Sequence, residues 1–371
     1  MKKAMPGVVA LLALGALYLL VWPVPIAPLA WDAPNAPGYT GPHAVNTKLA
    51  NLQMIDLKGE VGPEHIQFGP DGKLYTTVAS GNILRMNADG SDQQVFVNTG
   101  GRVLGFDFDA KGNLIAADAM RGLLSIAPDA RITLLSENVN GDPIRYADAV
   151  VVAKSGKMYL SDASARFAPK DWGGTFEASV LDILEQAATG RILEFDPATR
   201  TTRVVAKGIS FANGVALSQD EKSLFVNETG KYRVWKIAVT ANNLDLGTLA
   251  HEPSAQASVL LDNLPGYPDN LMRGLNGKIW LGLAKPRNPT IDKLAQKPWL
   301  RSLTLRLPRA LWPIPKAYGH VIAFTEDGKV VADLQDPSGA YPETTAVTET
   351  NDRLYVQSLH AHGLGWLAAP Q

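Results

Sequence analysis

The chain has no cysteine, which excludes a disulfide framework, thiolate metal sites and a cysteine nucleophile together. It also lacks an excess of charge: 35 Lys and Arg stand against 36 Asp and Glu, a formal net charge of -1 with a pI near 6.6. Nucleic-acid binders carry a basic face, so there is no electrostatic reason to expect nucleic acid as a partner. No Gly-x-Ser-x-Gly elbow, His-Glu-x-x-His helix, Walker loop or Gly-x-Gly-x-x-Gly fingerprint occurs. Serine-type hydrolysis and nucleotide chemistry thereby lose their usual support.

Long apolar runs are also scarce, with one exception. Met1-Lys2-Lys3 precedes an uncharged run from Ala4 to Trp22. At about 1.5 Å per helical residue it approaches a bilayer core of roughly 30 Å, and the leading lysines favour a cytoplasmic N-terminus. A cleavable secretory signal is the competing reading, but Pro23 to Ala30 offers no clean small-x-small site ahead of Trp31. Residues 1–22 are therefore expected to be an uncleaved transmembrane helix and residues 23–47 a Pro-rich extended stalk. Residues 48–371 would be the globular body, on the periplasmic or extracytoplasmic side.

What the body contains in quantity is a repeat. Asp71-Gly72-Lys73-Leu74-Tyr75, Lys111-Gly112-Asn113-Leu114-Ile115, Ser155-Gly156-Lys157-Met158-Tyr159, Glu221-Lys222-Ser223-Leu224-Phe225, Asn276-Gly277-Lys278-Ile279-Trp280 and Asn351-Asp352-Arg353-Leu354-Tyr355 are six turn-and-strand signals. The first spacings, 40 and 44 residues, match a four-stranded propeller blade. The longer ones need insertions, visible at about 165–190, 242–257 and 285–316. Two β-sandwiches would also have short, turn-rich strands, but they do not require one register repeated six times. The expected fold is all-β, a six-bladed β-propeller in one domain.

Counting back eleven residues from each closing position, or twelve in the fourth unit, gives Glu64, Leu104, Asp148, Asn213, Asp269 and Thr344. First strands line a propeller's channel, so these positions converge near the axis. Glu64, Asp148, Asn213 and Asp269 are hard oxygen donors. Carboxylates crowded in a channel raise each other's pKa unless a cation neutralises them, and Ca2+ accepts several carboxylate and amide oxygens at flexible angles. Asn270 could add a fifth ligand. The competing reading makes each a capping residue at the channel mouth, which needs no convergence.

Gly62-Pro63-Glu64, Phe211-Ala212-Asn213-Gly214-Val215-Ala216, Leu264-Pro265-Gly266-Tyr267-Pro268-Asp269-Asn270 and Tyr318-Gly319-His320-Val321 resemble the SMP-30/gluconolactonase/LRE superfamily. Within it the chain is most similar to the strictosidine synthase-like branch that includes adipocyte plasma membrane-associated protein. The resemblance implies a six-bladed propeller holding calcium in its channel, with metal-binding roles for Glu64, Asn213 and Asp269. Asn270 matches the second residue of the Asp-Asn pair of paraoxonase-like relatives. Asp148 departs from the Asn that many relatives carry.

The implied chemistry is calcium-dependent hydrolysis of a small-molecule ester or lactone. Asp148 is the preferred base, with His65 and His320 as further catalytic candidates. Adjacent strand residues face opposite ways, which points His65 into blade packing, and His320 opens a strand where a structural bond is expected. His360 and His362 read as ring-closure residues. Two alternatives stay open: a propeller that keeps calcium for stability alone while binding a partner, and a strictosidine synthase-like amine–aldehyde condensation. The insertion from Lys285 to Lys316, with eight basic residues among leucines and tryptophans, has two compatible readings, a lid over the channel and a surface lying on anionic lipid.

Overall fold

The turn at Asp71-Gly72 shows how the repeat becomes structure. Gly72, Gly112 and Gly156 take φ of 74°, 80° and 84°, a left-handed conformation that glycine adopts without a Cβ penalty. Each reverses the chain so that the apolar pair after it pairs with the strand before it, as in Phe68 with Leu74 and Gln67 with Tyr75. In a computed structural model that describes residues 5–249 and 254–369, this unit recurs six times around a ring.

Blade one is built from Ile66–Phe68, Leu74–Thr77, Asn82–Met86 and Gln94–Asn98. Blade two follows with Val103–Phe108, Leu114–Asp118, Gly122–Ile126 and Ile132–Ser136. The main strands of blade three are Ala147–Val152, Met158–Asp162, Gly190–Asp196 and Thr201–Ile209, and those of blade four Ala212–Leu217, Ser223–Glu228, Arg233–Ala238 and Ala257–Leu261. Blade five has Gly266–Arg273, Ile279–Pro286, Gly319–Phe324 and Val330–Asp336. Blade six uses Thr344–Glu349, Arg353–Ser358 and Leu364–Ala368, and its fourth strand is Gln53–Ile55 from the start of the body. Ile55 pairs with Leu364 and Gln53 with Trp366, so the two ends of the body close the ring.

The core lies between blades. Phe225 and Val234 of blade four pack on Ile279, Ile322 and Phe324 of blade five, with the Phe225 and Phe324 rings edge to face at 6.4 Å. Ile115 and Leu123 of blade two pack on Val150, Met158 and Leu193 of blade three. Each fully buried aliphatic or aromatic side chain contributes roughly 1.5–3 kcal/mol.

Two insertions cover one mouth of the channel. Between the second and third strands of blade three lie α2 (Pro169–Trp172) and α3 (Thr175–Glu185), and in blade five α4 (Pro289–Lys293) and α5 (Pro298–Thr304) occupy the same place. Residues 250–253 of the expected insertion at 242–257 lie outside the described residues.

Two expectations about the N-terminal segment need correction. An apolar helix, α0 (Met5–Val21), is present, but its 17 residues reach about 26 Å. Among the described residues no helix is long and apolar enough to cross a membrane; Met1 to Ala4 lie outside them. The Pro-rich segment is no free stalk either. It runs as a strap over the lid, where Leu29 N donates to Glu185 O, Trp31 N to Ala295 O, and Arg287 to Pro34 O. Proline has no N–H to satisfy, so this extended chain leaves few unpaired donors as it crosses the lid.

Candidate active site and metal centre

Every first strand from blade two to blade six carries a register irregularity near its channel end. The shifts fall between Val103 and Gly105, Ala147 and Val150, Ala212 and Val215, Pro268 and Leu271, and Thr344 and Val347. Such bulges re-aim side chains beside functional sites, and here they bracket Asp148, Asn213, Asp269 and Asn270. Gly214 lets blades four and five approach closely, since a Cβ there would lie 2.5 Å from Asp269 O and from Leu271 N.

The result is a cavity of about 470 Å³ lined by Glu64, Asp148, Asn213 and Asp269 together. All four are buried. Burial raises the pKa of Asp148 well above the ordinary carboxylate range, and the negative charges of Asp269 and Glu64 raise it further. Asp269 is pushed the same way by burial and then by Glu64. Burial raises Glu64 as well, offset in part by Arg102.

Arg102, which the sequence reading overlooked, also lines the cavity, and its Nη2 lies 2.6 Å from Glu64 Oε2. It precedes Leu104 by two residues on the strand side, and same-face alternation is the signal that could have found it. Three carboxylates outnumber the one guanidinium bonded among them, an excess of negative charge that a divalent cation offsets. Asn213 Oδ1 is buried without a hydrogen-bond partner, an orphan that costs about 1–3 kcal/mol unless something accepts its lone pair. These residues fit a calcium ion held by Glu64, Asp148, Asn213 and Asp269.

Asn270 sits differently. Its Nδ2 donates to Glu64 O at 3.2 Å, and Thr345 Oγ1 donates to the same carbonyl at 2.8 Å. Asn270 therefore ties blade five to the start of blade one beneath the carboxylates, with its Oδ1 buried and unpartnered.

The two histidines named as catalytic candidates do not line the cavity. His65 is buried against Phe106 at 4.7 Å, and desolvation holds its pKa down at about 4. His320 is buried in blade five with Nε2 2.9 Å from Asp333 Oδ2. His360, assigned from sequence to ring closure, faces the cavity together with Glu343 and Lys285. Glu343 bonds both His360 Nδ1 and Lys285 Nζ. That bond raises the pKa of His360 and its partners lower that of Glu343 against the effect of burial.

The wall above the charged floor is apolar. Phe176, Val180 and Ile183 of α3 face Trp312, Pro313 and Ile314 from the second insertion across the cavity. Of the two compatible readings of Lys285–Lys316, the lid is visible in the structure, where Trp312, Pro313 and Ile314 line the cavity. Lys285 pairs with Glu343, Arg287 with Asp292 and Arg309 with Glu177, while Arg301 binds the strap carbonyl of Leu29 and Arg306 that of Trp22 just before it. Most of the basic residues thus work inside the molecule.

Two family models match, "Strictosidine synthase-like, N-terminal" over residues 41–86 and "Strictosidine synthase" over residues 148–242. Protein STRICTOSIDINE SYNTHASE-LIKE 13 of Arabidopsis thaliana is 30% identical over 328 residues, covering 79% of this chain and 77% of the plant protein. The chain belongs to the strictosidine synthase-like family. Adipocyte plasma membrane-associated protein of Salmo salar is similarly related, 30% identical over 364 residues that cover 91% of this chain and 82% of that one. Among solved structures, a gluconolactonase of Xanthomonas campestris superposes with a TM-score of 0.60 at 17% identity, covering 94% of this chain and 99% of the other. At that identity the likeness shows the fold alone, a propeller that this strictosidine synthase-like chain shares.

Proposed function

We propose that the chain is a calcium-dependent hydrolase of esters or lactones. The observation that carries this reading is Asn213 Oδ1, buried and unpartnered beside three mutually repelling carboxylates at the floor of an apolar cavity. A bound calcium ion supplies Lewis-acid polarisation of the substrate carbonyl. The chain's own residues supply the rest. Phe176, Val180, Trp312 and Ile314 bury the acyl or lactone body and exclude water from it. As the water oxygen attacks the carbonyl carbon, Asp148 takes its proton, and the leaving oxygen takes a proton from His360, which Glu343 favours in its cationic form.

The test uses the full chain with aryl-ester and lactone panels. Turnover should disappear on chelation, return with calcium, and fall by orders of magnitude in Glu64→Gln. Activity indifferent to chelation and to Glu64→Gln would overturn the reading. A lower melting temperature on chelation with no turnover on any panel member would favour a calcium-stabilised binding propeller.

Amine–aldehyde condensation is the second reading. It is favoured by kinship, since identity to the strictosidine synthase-like relatives is 30% against 17% for the gluconolactonase. It requires turnover of an amine with an aldehyde that survives chelation.

A further inference from the structure

Far from the channel, on the outer half of blade five, three donor atoms converge. His43 Nδ1 lies 2.8 Å and His320 Nε2 2.9 Å from the same oxygen, Asp333 Oδ2. One ligand atom from each of the three residues lies within 4.8 Å of the others. His320 and Asp333 are buried, with side-chain exposures of 1% and 7%, and His43 is 13% exposed. The residues arrive from separate places. His43 ends the single turn Gly41–His43 at the C-terminal end of the strap. His320 and Asp333 stand on adjacent strands, where Asp333 pairs with Ile322, two residues on from His320 and on its face.

The carboxylate is held in one orientation. Its other oxygen, Oδ1, accepts from Asn46 Nδ2 at 3.1 Å and Gln335 Nε2 at 2.5 Å, which leaves Oδ2 facing the two imidazoles. Gln335 also donates to the carbonyls of His43 and Ala44. Tyr39 stacks on Tyr318 at 4.7 Å and lies 5.7 Å from the His320 ring, closing one side.

We infer that His43, His320 and Asp333 form a second metal site, of the zinc class, that fastens the N-terminal strap to blade five. Two imidazole nitrogens and one carboxylate oxygen are donors suited to zinc and unlike the all-oxygen floor of the channel. The hydrogen bonds from Asn46 and Gln335 to Oδ1 are the outer contacts that a ligating carboxylate receives. A tetrahedral ion about 2.0–2.1 Å from each donor needs donors about 3.3 Å apart, so each histidine–aspartate pair opens by about 0.5 Å on binding. Coordination uses the lone pairs of His43 Nδ1 and His320 Nε2, with the ring protons then on His43 Nε2 and His320 Nδ1. The partly exposed side of His43 is the route for the ion and the place for a water as fourth ligand.

The experiment titrates untagged full-length protein, with calcium saturating, against Zn2+ by calorimetry and against Co2+ by visible absorption. One zinc should bind per chain and raise the melting temperature, and Co2+ should give the intense absorption of a tetrahedral site. His43→Gln should weaken zinc at least tenfold and remove the cobalt band, whereas Glu64→Gln should leave both unchanged. Asp333→Asn should match His43→Gln; if it fails to fold, His43→Gln on the surface strap decides. No saturable zinc binding by the wild-type chain, or undiminished binding by His43→Gln, would overturn the site. A lower metal-free melting temperature in His43→Gln without any zinc response in the wild type would also overturn it and leave a hydrogen-bonded clamp.

Discussion

Arg102 Nη2 and Glu64 Oε2 form a 2.6 Å ion pair inside the channel, with the two side chains 12% and 3% exposed. The guanidinium is the positive charge bonded directly to Glu64 beside Asp148 and Asp269, with His360 a further one acting on Glu64, and with calcium removed the guanidinium does most to limit their repulsion. Arg102→Met leaves Glu64 buried and unpaired, a loss of about 3–5 kcal/mol. The chelated protein should therefore melt well below the wild type. Calcium should recover more stability in the variant than in the wild type, because the carboxylates then lack the guanidinium's charge. Equal calcium-induced shifts in melting temperature for the two proteins would show that Arg102 does not belong to the metal's charge balance.

Asn213 and Asn270 look alike in sequence and differ in the structure, which gives a second expectation. Asn213→Ala should weaken calcium about tenfold or more, since its Oδ1 is free for the ion, and should cost the chelated protein only the bond that its side chain makes to Asp269. Asn270→Ala should lower the melting temperature with and without calcium, because it removes the bond to the Glu64 carbonyl. Isothermal titration with calcium, set beside thermal melts, separates the two.

The ring and the oxygen-bearing residues gathered in its channel were legible because both depend on local repetition. Each hairpin turn announces its own blade, and a fixed count from the turn finds the channel end of the first strand, where Glu64, Asp148, Asn213 and Asp269 stand. What stayed hidden depends on contacts between distant segments. His360 faces the cavity from beyond the blade-six hairpin and is held by Glu343, 17 residues earlier, a pairing with no periodic signature. The strap's composition suggested an extended stalk, yet its carbonyls are bound by Arg287 and Arg301 from 253 and 272 residues away. The apolar run at the N-terminus was read at the length of its sequence, whereas its described helix is 17 residues.

The His360–Glu343 bond sets a pH dependence. Hydrogen bonding to Glu343 raises the pKa of His360 above its ordinary 6.5, so the proposed proton donor stays charged above that pH. Turnover should fall on the alkaline side as pH rises through the raised value. Glu343→Gln removes the cause of the shift, and the alkaline limb should move to lower pH. A limb that stays in place in Glu343→Gln would remove His360 from the proton path, while loss of kcat at every pH with the limb unmoved would point to a packing role for Glu343.

Asp182 carries the last expectation, on stability alone. It sits on the buried face of α3, and desolvation raises its pKa from 3.8 to about 7, with a smaller push from Glu185. Its folded value exceeds its unfolded value, so between these two pH values the folded state binds more protons than the unfolded state. Stability contributed by this group is therefore fully present at acid pH and lost as pH rises toward and through about 7. Asp182→Asn keeps the size and removes the ionisation, so it should melt above the wild type at pH 8. At pH 5, where the wild-type carboxyl is already neutral, that advantage should shrink or vanish. Thermal melts of both proteins at the two pH values, with calcium saturating so that the channel carboxylates stay neutralised, decide the matter: an advantage of the same size at both would mean that the gain comes from packing or hydrogen bonding and not from a buried charge.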